Sequence, residues 1–112
     1  MLSFTSQNLA EFWNVCTRPA EQNGFGLSIA ETNRRALVIE STFSFLADTP
    51  LVHTEWRRLI VTHSVTGVKV HDARLVASMI VHGITDLLTL DEQDFKRYSG
   101  INAMHPSQIV HG

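Results

Sequence analysis

The sequence predicts an α/β fold with a parallel sheet. Two observations predict it. Short strand-like runs alternate with longer segments whose apolar residues recur at helical spacing. The run Asp86-Leu87-Leu88-Thr89-Leu90 is nearly continuous in its apolar character, as a strand covered on both faces should be. The chain has 112 residues, enough for one domain with one core, so a single domain over 1–112 is expected.

Each element follows from local chemistry. Leu2-Ser3-Phe4-Thr5 alternates and reads as a first short strand. Ser6 is the expected N-cap of a helix whose core face is Leu9, Phe12, Trp13 and Cys16, and Pro19 stops it. Asn23-Gly24-Phe25-Gly26 is a loop. Ser28 and Glu31 form a capping-box pattern opening a second helix, with the stripe Ile29, Ala36, Val38 and Ile39. Residues 43–47 read as a short buried strand, ended by Asp48-Thr49-Pro50, which also opens a third helix. Val52, Trp56, Leu59 and Ile60 give that helix its core face. Thr66-Gly67 is a turn, and Asp72 is the expected start of a fourth helix burying Leu75, Val76, Met79 and Ile80, with Gly83 as its stop. After the apolar run at 86–90 come a turn or short helix over 91–98 and a last strand over 100–104.

Composition narrows the function classes. Hydrophobic residues make up 44% and charged residues 18%, which places the chain among globular proteins. No apolar run reaches the roughly 20 residues of a membrane span, and no secretory signal opens the sequence. A lone Cys16 excludes an internal disulfide and fits a reducing, cytoplasmic setting. The net charge of -2 is not that of a protein held to nucleic acid mainly by its overall charge. Local phosphate contacts remain open at Arg34-Arg35, Arg57-Arg58, Arg18, Lys69 and Arg74, although each pair alone reads as a solvated helix face. His53, His63, His71, His82, His105 and His111 show no zinc-type pairing.

The chemistry-bearing residues are carboxylates. Glu11 lies on the first helix, Asp72 at the fourth, Asp91 directly after the apolar strand and Asp94 three residues on. Functional groups of open α/β sheets gather at the carboxyl ends of strands, which suits Asp91. Converging carboxylates repel one another unless a cation lies between them, and oxygen donors of this kind suit Mg2+ or Mn2+. Each residue also has a plain structural role: Asp72 as an N-cap, Asp91 and Asp94 as turn residues, Glu11 as a surface glutamate.

The segments Gln7-Asn8-Leu9-Ala10-Glu11-Phe12-Trp13, Gly67-Val68-Lys69-Val70-His71-Asp72-Ala73-Arg74 and Leu88-Thr89-Leu90-Asp91-Glu92-Gln93-Asp94-Phe95 resemble patterns of PIN-domain nucleases of the VapC toxin kind. The resemblance covers nearly the whole chain. It implies a PIN-like three-layer fold and an Mg2+- or Mn2+-dependent ribonuclease, with an antitoxin protein as partner. Glu11 matches the family's helix glutamate and Asp72 its third acidic position. The fourth falls at Asp91 or Asp94, and Thr89 corresponds to a hydroxyl position lining such sites. Arg18, Lys69 and Arg74 are the candidate nucleic-acid contacts.

The family pattern opens with a central apolar strand ending in aspartate, followed by a helix. The sequence here opens on what matches the second strand, so the expectation is a truncated PIN-like domain without the first aspartate. Two functional readings follow: a metal-dependent ribonuclease, or a catalytically impaired remnant serving as a nucleic-acid-binding or protein-interaction module. A homo-oligomer is expected, because neighbours of a missing strand, Phe4 and Trp13 among them, would lose their cover.

Overall fold

The computed structural model describes residues 2–107. It is mixed α/β, with four helices and short parallel strands in two small sheets among these residues. The chain divides into two units, residues 1–47 and 48–112.

In the first unit, strand β1 (Ser3–Thr5) runs parallel to β2 (Ser44–Leu46), with Ser3 opposite Ser44 and Thr5 opposite Leu46. Helices α1 (Ser6–Thr17) and α2 (Ile29–Thr42) make the crossover that a parallel pair requires. The Phe4 ring lies 5.3 Å from the Phe45 ring. The N-cap of α1 is Thr5, one residue before the expected Ser6. Its hydroxyl accepts from the Asn8 N–H at 3.1 Å, and Asn8 Oδ1 accepts from the Thr5 N–H at 3.0 Å. This reciprocal box selects Thr5 because Asn8 stands at the third helical position.

The loop after α1 satisfies the helix's last carbonyls. Phe25 N–H donates to Val15, Gly26 N–H to Arg18 and Leu27 N–H to Cys16, all within 2.8–3.0 Å. Ser28 caps α2 by accepting from the Glu31 N–H. The Glu31 carboxylate does not close the expected box; it bonds Arg34 and Arg35 instead. The buried face of α2 is Thr32 and Ala36, with Ile39 half-buried, and Ile29 and Val38 are exposed. Val38 lies two residues beyond Ala36, roughly 200° around the helix, and so faces away.

The second unit is built on α3 (Pro50–Thr62) and α4 (Lys69–Val81), which pack together over Val52, Leu59, Ala73, Val76 and Ala77. Phe95 and Tyr98 complete that core, and Trp56 and Ile60 flank it as expected. Helix α4 begins at Lys69, three residues before the expected Asp72, and its N-cap Val68 makes no side-chain bond. Gly67, at φ +59, turns the chain into it, and Val70 N–H donates to the Gly67 carbonyl. Gly83, at φ +71, ends it, with Ile84 N–H returning to the Met79 carbonyl at 2.8 Å. Ile80, expected in the core, is 41% exposed.

Strand β3 (Asp86–Leu88) runs parallel to β4 (Asn102–Met104), with Asp86 opposite Asn102. A 3-10 turn, Glu92–Phe95, lies between them and packs against α4. The run expected to be fully covered is not: the strand ends at Leu88, and Leu88 and Leu90 are 46% and 73% exposed. Among the described residues its strand neighbour is β4. Among the described residues no helix is long and apolar enough to cross a membrane.

Candidate acidic site

Asp72 owes its position to two anchors. Trp56 on α3 donates its indole N–H to the Val70 carbonyl at 2.9 Å, and the adjoining Ala73 is fully buried in the core. These fix the first turns of α4, with Lys69 three residues before Asp72 on one helix face.

Asp91 and Asp94 are placed by the turn after β3. The Thr89 hydroxyl accepts from the Asp91 N–H at 3.1 Å, and the Asp91 carbonyl accepts from the Asp94 N–H at 3.0 Å. Phe95, 5% exposed, pins the turn into the core beside α4. Lys69 Nζ closes the arrangement at 2.7 Å from Asp94 Oδ1.

The electrostatics show that these groups share one field. Burial raises the Asp72 carboxyl above the ordinary range, Lys69 opposes the shift, and the charges of Asp94 and Asp91 add to it. The bond to Asp94 raises the Lys69 ammonium, and the charges of Asp72 and Asp91 act in the same direction. The donor chemistry suits a hard divalent cation, and the Lys69 ammonium already pairs with one of the three aspartates, Asp94. Among the described residues no group of three or more His, Cys, Asp and Glu side chains is arranged to hold a metal ion. Of the three carboxylates Asp94 bonds the lysine, and Asp72 and Asp91 act on it through their charge.

The other sequence candidates have surroundings of their own. Glu11 is an exposed residue of α1 in the first unit, whereas the three aspartates belong to the second. Arg18 ends α1; its Nη2 donates to the Asn23 carbonyl at 3.1 Å, and its Nε is buried without a hydrogen-bond acceptor. Arg74 grips both carboxylate oxygens of Asp48 at 2.9 and 2.7 Å and stands 5.7 Å from the centre of the Trp56 ring. Arg34 and Arg35 pair with Glu31, and Arg58 with Glu55, which are the solvated helix faces expected of them. His63 stacks edge-on against Tyr98 at 5.0 Å, and His111 lies outside the described residues.

Sequence reasoning missed Asp48 and the indole bond of Trp56. Both act across at least 14 residues, where no local pattern signals them. The first unit also carries an apolar cleft of about 550 Å³ lined by Phe4, Leu9, Ala10, Trp13 and Phe45, with Ser6 and Glu40. Phe4, expected to lose its cover, is buried, and Phe45 is the exposed member of that pair at 53%. No protein-family model matches the chain, and no curated protein compared with it does so either.

Proposed function

We propose that this chain is a PIN-like, VapC-type relative with a three-layer arrangement, acting in the cytoplasm on RNA phosphodiesters as an Mg2+- or Mn2+-dependent ribonuclease and paired with an antitoxin. The observation that carries the reading is the shared field of Asp72, Asp91 and Asp94. A carboxyl held above its ordinary range by burial and by two like charges is a candidate functional group. Asp72, with Asp91 or Asp94, would hold the cation. Such a cation supplies water activation and neutralises phosphate charge. Lys69, Arg74 and Arg18 are the candidate phosphate contacts, and Lys69 bonds Asp94. The test is cleavage of single-stranded RNA by the purified chain with Mg2+ or Mn2+. Cation-dependent cleavage abolished by Asp72→Asn supports the reading; folded protein inactive in both metals refutes it.

A second reading is a catalytically impaired relative that binds nucleic acid or protein. The apolar cleft beside the exposed Phe45 favours it, since apolar concavities of this kind suit a protein contact. A homo-oligomer belongs to this reading, and a monomer by light scattering at high concentration would refute it.

A further inference from the structure

We propose that the apolar cleft of the first unit is a binding site for a small organic ammonium ion, whose apolar body lies against Phe4, Leu9, Trp13 and Phe45 and whose charge faces Glu40. Such a site is independent of both readings above.

The walls come from elements of one unit. Phe4 on β1 and Phe45 on β2 are opposite one another in register and so share one face of the sheet, their ring centres 5.3 Å apart. Leu9 and Trp13 are four residues apart on α1 and share a helix face, and both are half-buried. With Ala10 these side chains line about 550 Å³. Sites for small molecules run from roughly 300 to 1,000 Å³ and are mostly apolar, with a few polar groups that fix the ligand's orientation.

Glu40 sets the charge. The inward stripe of α2 is Thr32 and Ala36, 0% and 1% exposed, and Glu40 is the next position at four-residue spacing. A carboxylate thus stands where the core pattern calls for an apolar side chain, and it lines the cleft. No other lining residue is charged, and Ser6 adds a hydroxyl. Glu31 and Glu55 carry arginine partners, whereas among the described residues no arginine or lysine pairs with Glu40.

These walls and this charge select the ligand. The face of an aromatic ring carries negative potential, so the rings and the carboxylate both attract a cation and disfavour an anion. A wholly apolar occupant would strip water from Glu40 with nothing in return. A bare metal ion would leave the rings and Leu9 uncovered. An ammonium on an apolar body satisfies both parts of the cleft.

The test is protein NMR of the full chain, titrated with phenethylammonium, its neutral analogue phenethyl alcohol and its anionic analogue phenylpropionate. Trp13 and Trp56 are the two tryptophans, one in each unit, so their indole N–H signals separate the cleft from the second unit. Phenethylammonium should shift the Trp13 signal saturably and leave that of Trp56 in place. It should bind about fivefold tighter than the alcohol, the gain one exposed charge pair supports, and the anion should bind weakest. Glu40→Gln should bring the ammonium down to the level of the alcohol and leave the alcohol unchanged. Equal binding of the three probes, a preference that survives Glu40→Gln, or no shift of Trp13 by any probe at millimolar concentration overturns the site. A Trp13 signal that responds to dilution and to no probe shows a second copy of the chain in the cleft and overturns it too. Should Glu40→Gln fail to fold, the order of the three probes on wild type decides by itself.

Discussion

The indole N–H of Trp56 donates to the carbonyl of Val70 at 2.9 Å, tying the middle of α3 to the first turn of α4. The same ring faces the Arg74 guanidinium, whose other contact is Asp48 at the entrance to α3. One side chain thus links both ends of the segment that positions Asp72. Trp56→Phe keeps an aromatic ring but loses the hydrogen bond, and should destabilise the protein by about 1 kcal/mol. Urea unfolding measures that loss, and hydrogen exchange should quicken at the amides around Val70 before the rest of α4. Uniform exchange along α4 would show that the bond does not hold its first turn.

Gly24 has a different constraint. A β-carbon there would lie 1.9 Å from the Arg18 carbonyl oxygen, a backbone atom that cannot move without disturbing the end of α1. Gly26 N–H donates to that same oxygen. Gly24→Ala should therefore destabilise the first unit by about 2–4 kcal/mol, well beyond the usual surface substitution. Gly83→Ala, where nothing crowds the added carbon, should show the smaller loss of a positive-φ glycine, about 1 kcal/mol. Thermal unfolding of the two variants side by side checks the ranking.

Much of the fold was legible because its signals are local. Pro50 and Gly83 mark helix ends through backbone chemistry that any neighbour would obey. Val52, Leu59 and Val76 fall on helix faces fixed by 3.6-residue spacing. What was not legible depends on chain contacts far apart in sequence. The run at 86–90 is as apolar as a doubly covered strand, yet Leu88 and Leu90 are exposed, because coverage is set by neighbours that no local pattern names. The start of α4 moved to Lys69 for the same reason, since Trp56 holds a turn that lacks any capping side chain. For the site, the aspartates were singled out by a family resemblance, and no local pattern signalled that Lys69 would lie against Asp94.

Glu31 supplies a pH dependence whose sign is fixed. The bonds to Arg34 and then Arg35 lower its carboxyl from 4.5 to about 2. The folded chain therefore binds this proton less readily than the unfolded chain. The contribution is present above about pH 4.5 and is lost as pH falls toward 2. The Glu31 side chain is half-buried and its arginine partners are exposed, so salt should screen part of the interaction. Stability of wild type and Glu31→Gln, compared from pH 6 to pH 2.5, should converge at the acid end in low salt. A constant difference across that range would show that Glu31 acts without its charge.

Asp72 should behave in the opposite sense. Its carboxyl is raised above the ordinary 3.8, chiefly by burial and then by the charges of Asp94 and Asp91 against the pull of Lys69. Between 3.8 and the raised value the folded chain binds the proton more readily than the unfolded chain, so this group's contribution to stability falls as pH rises through that window. Above it, the ionised carboxylate opposes folding. Asp72→Asn should then stabilise the protein at neutral pH, read as a rise in Tm over wild type. The same substitution should abolish cation-dependent RNA cleavage. A residue that strains the fold and is needed for activity is retained for chemistry. Calorimetric melting at pH 7 decides it: a variant less stable than wild type would make Asp72 a helix-stabilising residue and remove its claim to the site.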